Sequence, residues 1–103
     1  MSPQPPTLPP IPANKFSAKF LELTNLLFVD GALSVKTKEL IALAVAHVTQ
    51  CDHCIEAHTR RAVNCGVTKE ELTEAIWVAT VMRAAASMQR SRAAFSILEG
   101  LRR

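Results

Sequence analysis

The sequence has no tyrosine and few aromatic residues of any kind, and this scarcity narrows the classes of function. Aromatic residues make up 5% of the 103 residues, although the formal net charge is +3. A nucleic-acid interface normally combines a basic stripe with aromatic side chains that stack on bases. Here the arginines are scattered over the C-terminal half. We therefore expect no nucleic-acid partner.

Long apolar runs and secretion signals are also missing. No stretch approaches the roughly 20 apolar residues that cross a bilayer, so we expect no membrane partner. The first residues lack the basic start and the apolar run of a signal peptide. The three cysteines are an odd set, whereas a secreted disulfide scaffold normally has an even set. These absences predict a cytoplasmic protein in a reducing compartment.

The sequence also lacks alternating strand patterns, internal repeats and a phosphate-binding glycine loop, which makes all-α the predicted fold class. The prolines are unevenly placed, because all six fall within residues 1–12. This composition is typical of a semi-rigid polyproline-type segment. We therefore predict a proline-rich N-terminal arm over residues 1–13 and one helical domain over residues 14–103.

Apolar spacing and capping residues predict five helical segments. Asn14 and Ser34 cap the first two, Gly66 follows the third, and Thr68 with Glu71 forms a capping box for the fourth. The predicted segments run from Asn14 to about Asp30, from Ser34 to about Thr49, over 51–65, over 69–85, and from about Ser87 to Leu101.

Apolar residues make up 49% of the chain, which is more than a small domain has room to bury. The segment over 69–85 has apolar side chains on two sides, and one side carries Trp77, Val78 and Val81. A large exposed apolar patch marks a contact with another molecule. We therefore expect a homo-oligomer in which this segment and the proline-rich arm contact neighbouring subunits.

The most informative stretch is Cys51–His58, which holds two cysteines and two histidines within eight positions. In a helix, Cys51, Cys54 and His58 share one face. A CxxC pair can close a disulfide or present a thiolate, and an imidazole can move protons at neutral pH. Any one of these residues alone would be an ordinary buried side chain. The three together indicate a redox site.

Whether Glu39 belongs to this site depends on the path of the chain near Gln50. In one straight helix, Glu39 and Cys54 would lie roughly 22 Å apart, and Glu39 would only be a first-turn carboxylate favoured by the helix dipole. If the chain reverses near Gln50, two antiparallel helices bring Glu39 beside His58. The β-branched Val48 and Thr49 make only a weak break, so periodicity leaves both arrangements open.

Glu39, Cys51, Cys54 and His58 form the pattern E-x11-C-x2-C-x3-H. Together with its flanks over 37–46 and 65–72, this pattern resembles the AhpD-like alkylhydroperoxidase family, within the carboxymuconolactone decarboxylase superfamily. The resemblance covers about residues 14–100. It implies an all-α orthogonal bundle with a single core unit, in which the helices break before the CxxC. We therefore predict that residues 34–49 and 51–65 form an antiparallel helical hairpin.

The resemblance further implies a thiol peroxidase that acts on alkyl hydroperoxides without a cofactor or a metal. Cys54 would attack the peroxide and Cys51 would resolve the sulfenic acid as a disulfide. His58 and Glu39 would carry protons, and His53 would tune or contact the thiols. A dithiol partner, with lipoyl-bearing and thioredoxin-like proteins as candidates, would reduce the disulfide.

Two features of the family qualify these expectations. The proper AhpD protein is longer and has a second helical copy, so its peroxide preference and its lipoyl partner do not transfer directly. Relatives with a single unit tend to be homo-oligomers, which implies a hexamer or a trimer. The order of the two cysteines also stays open, because a helix N-terminus stabilises a thiolate and would favour Cys51.

Three other functions remain as alternatives. A zinc site could use His47, Cys51, Cys54 and His58. A decarboxylase or isomerase of the same superfamily could act on a ring lactone with His58 or Glu39 as acid or base. A non-enzymatic oligomeric module would use the cysteines only for packing. For Cys65 we expect packing, because it lies roughly 21 Å along the helix axis from Cys51.

Overall fold

The computed structural model describes residues 11–103, so most of the predicted proline-rich arm lies outside the described residues. The all-α prediction is confirmed. The described chain consists of four helices, and residues 11–103 contain no strand. The helices are α1 (Lys15–Leu27), α2 (Val35–Thr49), α3 (Asp52–Asn64) and α4 (Lys69–Leu101).

Three helices begin at the capping residues that the sequence predicts. Asn14 caps α1 and Ser34 caps α2 through hydrogen bonds from first-turn amides. Thr68 and Glu71 form the capping box of α4, in which the Glu71 carboxylate accepts from the Thr68 N–H at 2.9 Å. This hydrogen bond, helped by Lys36 at 3.0 Å, lowers the pKa of Glu71. The pair with Lys36 also ties the start of α4 to α2.

The predicted reversal near Gln50 is confirmed. The helix α2 ends at Thr49, and Gln50 adopts a left-handed conformation with φ of 58°. Cys51 then donates its backbone N–H to the Ala46 carbonyl at 3.0 Å and serves as the N-cap of α3. The reversal is therefore complete within Gln50 and Cys51. Helix α3 therefore runs back along α2.

A side chain from α4 holds this turn. The Arg83 guanidinium donates to the Val48 carbonyl at 2.8 Å. With the Gln50 amide oriented so that its oxygen faces the guanidinium, that oxygen accepts from Arg83 at 2.9 and 3.2 Å. A cation is favourable at the C-terminal end of a helix, where carbonyls lack intrahelical partners. Arg83 thus stabilises both the end of α2 and the left-handed residue that follows it.

The predicted division of the last helical region is wrong. A single helix of 33 residues, α4, runs through residues 85–87 without interruption. The segment 84–86 is three consecutive alanines, and alanine has the highest intrinsic helix propensity. Neither a glycine nor a proline lies nearby to end the helix.

The core of the described chain is small and centres on α2, which packs against α3 and α4. Its buried apolar residues are Leu43, Ala46, Ala62 and Ala79. Helix α1 has no buried residue and packs against none of the other three helices. The side of α4 that carries Trp77, Val78 and Val81 is about 60% exposed. Within residues 11–103, no helix is long and apolar enough to cross a membrane.

We predict that Arg83→Met lowers the free energy of unfolding by about 1 kcal/mol, because the exposed end of α2 loses a charged donor. The control is Arg90→Met, which removes an exposed arginine farther along α4. The measurement is urea denaturation of all three proteins at one protein concentration. Equal midpoints for the two variants would show that Arg83 does not stabilise the turn.

Candidate redox site

The two cysteines of the CxxC motif lie at the beginning of α3 and are joined by a disulfide, with their Cα atoms 5.2 Å apart. Cys51 is the N-cap residue, and its sulfur accepts the backbone N–H of Cys54 at 3.3 Å. Cys54 is the third helical residue. Both sulfurs therefore lie within the first turn, where the unpaired amides of a helix favour negative charge. Helix electrostatics thus supports thiolate character at either cysteine, rather than at Cys51 alone.

A buried carboxylate contacts the histidine of the motif. Glu39 Oε2 lies 2.7 Å from His58 Nδ1, and Glu39 is only 2% exposed. Because a carboxylate only accepts hydrogen bonds, Nδ1 donates, and Nε2 remains for proton exchange. The antiparallel arrangement of α2 and α3 thus brings Glu39 beside His58, as the hairpin prediction requires. The roles of both residues remain a prediction.

An aromatic side chain from outside the motif also contacts His58. The ring of Phe28, the C-cap residue of α1, lies with its centroid 5.4 Å from that of His58 and is tilted by 32°. The imidazole therefore has a hydrogen-bonding partner on α2 and an apolar neighbour at the end of α1. These two contacts restrict the orientation of the ring.

Cys54 and His58 both line one cavity of about 440 Å³. Its other walls are mainly apolar and come from the end of α1, the segment after it and one face of α2. Cys51 is not among the lining residues. The complete lining consists of Leu27, Phe28, Leu33, Lys38, Ile41, Ala42, Val45, Ala46, Thr49, Cys54 and His58. This cavity can accommodate an apolar group next to one sulfur and one imidazole.

The sequence did not reveal the walls contributed by Leu27, Phe28 and Lys38. Leu27 and Phe28 belong to no motif and lie in and just after a helix whose apolar residues give no sign of a site. Lys38 lies in the family-like flank over 37–46 but is not one of the four residues of the pattern. The only signal available was the presence of Lys36 and Lys38 near the start of α2, because a cation is unfavourable at a helix N-terminus. This signal does not distinguish Lys38, which contacts the end of α1, from Lys36, which binds Glu71.

The remaining candidate residues lie apart from this arrangement. His53 is exposed and does not line the cavity. His47 Nδ1 lies 2.8 Å from the Leu43 carbonyl of its own helix. Cys65 is a free cysteine at the end of α3. Within residues 11–103, no cluster of three or more His, Cys, Asp or Glu side chains could hold a metal ion.

The fold is that of a known protein family. The sequence model of the carboxymuconolactone decarboxylase family matches residues 14–98, and the chain belongs to this family. The AhpD-like assignment within it is supported by the alkyl hydroperoxide reductase AhpD of Rhodospirillum centenum, which is 37% identical over 62 residues. This match covers 60% of the chain but 33% of that AhpD protein, so the chain spans about a third of its length.

Other relatives are matched over more of their length. An uncharacterized protein of the cox locus of Paracoccus denitrificans is 51% identical over 78% of this chain and 72% of its own. A protein of Methanobacterium thermoautotrophicum has a similar structure, with a TM-score of 0.74 and 30% identity, over 81% of this chain and 95% of its own. A family member from Thermotoga maritima has a TM-score of 0.67 and 35% identity, over 88% and 94%.

We predict that the Cys51–Cys54 disulfide forms reversibly and leaves Cys65 free. Alkylation under denaturing conditions should add one label to the oxidised chain and three after reduction, because the sequence has three cysteines. Peptide mass spectrometry locates each label. A first label on Cys51 or Cys54, with Cys65 protected, would contradict this pairing.

Proposed function

We propose that the chain is a thiol peroxidase that reduces alkyl hydroperoxides through the Cys51–Cys54 dithiol. One observation carries the proposal: Cys54 and His58 line the same apolar cavity, and the ring of His58 is hydrogen-bonded to the buried Glu39. A sulfur nucleophile next to an oriented base is the arrangement that activates a thiol. The cavity supplies space for the organic group of the substrate.

In the first step, His58 Nε2 takes the proton of the Cys54 thiol, and the resulting thiolate attacks the terminal, hydrogen-bearing oxygen of ROOH. A sulfur–oxygen bond forms, the oxygen–oxygen bond breaks, and the leaving alkoxide takes a proton from His58 to become ROH. Cys54 is then a sulfenic acid. Sulfenic acid can still be reduced, whereas over-oxidation to sulfinic acid is irreversible in most proteins.

In the second step, the Cys51 sulfur attacks the Cys54 sulfenic acid and water leaves. Cys51 and Cys54 are close enough for this reaction, because their Cα atoms lie 5.2 Å apart, within the range of ordinary disulfides. A dithiol partner then reduces the disulfide by thiol–disulfide exchange and is itself oxidised. We propose a lipoyl-bearing or thioredoxin-like protein of the cytoplasm as this partner. No bound cofactor is required.

Glu39 and His58 serve as the proton relay of this proposal. Glu39 fixes the Nδ1–H tautomer of His58, so that Nε2 exchanges protons with the thiol and the leaving alkoxide. His53 lies between the two cysteines on the exposed side of α3, where it can contact their sulfurs during exchange with the reductant. The AhpD name of the Rhodospirillum relative and the suggested antioxidative role of the Thermotoga relative support the same class of reaction.

We predict that the wild-type chain consumes cumene hydroperoxide when a dithiol reductant is supplied. Cys54→Ser should abolish the reaction because no sulfenic acid can form, and Cys51→Ser should allow at most one turnover. His58→Gln and Glu39→Gln should keep the fold and slow the reaction by roughly 100- to 10,000-fold, the range typical of a lost proton-transfer group. Cys65→Ser is the matched control and should retain full activity.

Mass spectrometry after one equivalent of peroxide tests the order of the cysteines. A sulfenic acid trapped on Cys54 in the Cys51→Ser variant supports the proposed roles. Trapping on Cys51 in Cys54→Ser, with none in the reverse variant, would exchange the two roles. A wild-type dithiol that resists peroxide would exclude the peroxidase function and favour an oligomeric module.

We also propose that the protein is a homo-oligomer, a trimer or a hexamer. The Cα radius of gyration is 18.8 Å, whereas a compact domain of about 100 residues has about 13 Å. The apolar stripe of α1 is uncovered, with Phe16 74% and Phe20 71% exposed. Other copies of the chain can cover this stripe and the Trp77 side of α4.

We predict a mass of three or six times 11.3 kDa in light scattering at micromolar concentration. Trp77→Glu should reduce the mass, because a charge at an apolar interface cannot be solvated there. Arg103→Glu, at the exposed C-terminus, is the control for net charge, because it makes the chain more negative by two charges where Trp77→Glu does so by one. A wild-type mass of one chain would refute the oligomer.

A further inference from the structure

The end of α1 forms a wall of the redox cavity although α1 packs against none of the other helices. Phe28, at this end, is half-buried and contacts His58. Its two neighbours, Leu27 and Val29, are more than half exposed. Apolar burial within the chain therefore supplies little of the force that keeps this wall in place. Within the chain, a polar contact adds to this force.

Lys38 supplies that contact. Its ammonium group donates to the Leu27 carbonyl and to the Val29 carbonyl, each at 2.8 Å. These are the backbone carbonyls on either side of Phe28. Hydrogen bonds from a charged donor are stronger than those between neutral groups. Lys38 therefore clamps the backbone at the one residue of this segment that contacts His58.

The clamp is positioned by α2 itself. Lys38 precedes Glu39 in the sequence, and Glu39 binds the same imidazole from the other helix of the hairpin. The chain just after Phe28 is attached to the same helix, because Asp30 Oδ1 accepts from the backbone N–H of Val35 at 2.8 Å. The beginning of α2 thus fixes both the wall and the buried carboxylate.

We propose that Lys38 is a positioning residue that holds Phe28 against His58 and thereby determines how the cavity accepts the organic group of its substrate. This role in catalysis rests on the proposed peroxidase function. The structural part of the proposal, the placement of Phe28 by Lys38, does not rest on that function. A bulky hydroperoxide fills the cavity and depends on the wall, whereas hydrogen peroxide reaches Cys54 without it.

Four proteins test this role: the wild type, Lys38→Met, Lys38→Arg and the matched control Lys36→Met. Methionine keeps an unbranched apolar side chain but cannot donate, and arginine restores a charged donor. Lys36 lies two residues earlier on α2, and its ammonium binds Glu71 on α4, away from the cavity. Steady-state kinetics are measured with cumene hydroperoxide and with hydrogen peroxide.

For Lys38→Met we expect kcat/KM for cumene hydroperoxide to fall about tenfold, equivalent to about 1.4 kcal/mol, mainly through a higher KM. The value for hydrogen peroxide should change less. Lys38→Arg should recover most of the loss, and Lys36→Met should match the wild type. Equal losses for both peroxides, or the same loss in Lys36→Met, would overturn the proposal.

The ring-proton chemical shifts of His58 give a second readout that requires no activity, because they depend on the ring current of Phe28. They should move in Lys38→Met and stay at wild-type values in Lys36→Met. Unchanged shifts in folded Lys38→Met would refute the clamp even if activity falls. If the wild type consumes no peroxide but the shifts move, the peroxidase function fails and the clamp stands. Should Lys38→Met not fold, Lys38→Gln, whose shorter and uncharged side chain is a weaker donor, is measured in its place. The His58 shifts should then move, and unchanged shifts in this variant would refute the clamp.

Discussion

A carboxylate inside a helical core is unfavourable unless it has a partner, and the hydrogen bond between Glu39 and His58 meets this requirement. Glu39 is the buried polar residue among core residues such as Leu43 and Ala46. Its partner lies 19 positions later in the sequence, which only a reversal of the chain between α2 and α3 can bring within reach. The hairpin and the site are therefore one arrangement. A change that opened the hairpin would separate Glu39 from His58 and remove α3 from this part of α2.

The tight turn sets the geometry of the sulfurs as well as the path of the chain. Because Gln50 is left-handed and α3 begins at Asp52, Cys51 falls at the N-cap and Cys54 in the first turn. The same turn places His58 on the second turn, opposite Glu39. A longer loop would separate the helix N-terminus from the end of α2 and move both cysteines away from the cavity. Arg83, which contacts Val48 and Gln50, thus acts on the redox site from outside it.

Most of the fold could be predicted from local signals. Asn14, Ser34 and Thr68 are caps whose side chains act within a few residues, so their positions are visible in the sequence. The left-handed conformation of Gln50 could not be predicted from local signals, because Gln50 is neither Gly nor Asn and its stabilising partner Arg83 lies 33 residues away. The four polar residues of the candidate site could be selected because their spacing matches a family pattern, and their roles remain a prediction. The cavity walls could not be predicted from the sequence, because they depend on where the end of α1 lies in space.

Helix α2 carries both residues that position groups around the cavity, Lys38 and Glu39. The neighbouring residues Lys38 and Glu39 point in different directions, one to the carbonyls around Phe28 and the other to His58 Nδ1. Adjacent residues on a helix cannot face the same way, so a charged pair at successive positions reaches two different elements. Because both contacts begin on one rigid helix, the imidazole and the apolar wall keep a fixed relative position. The lysine thus links the shape of the cavity to the orientation of the His58 imidazole.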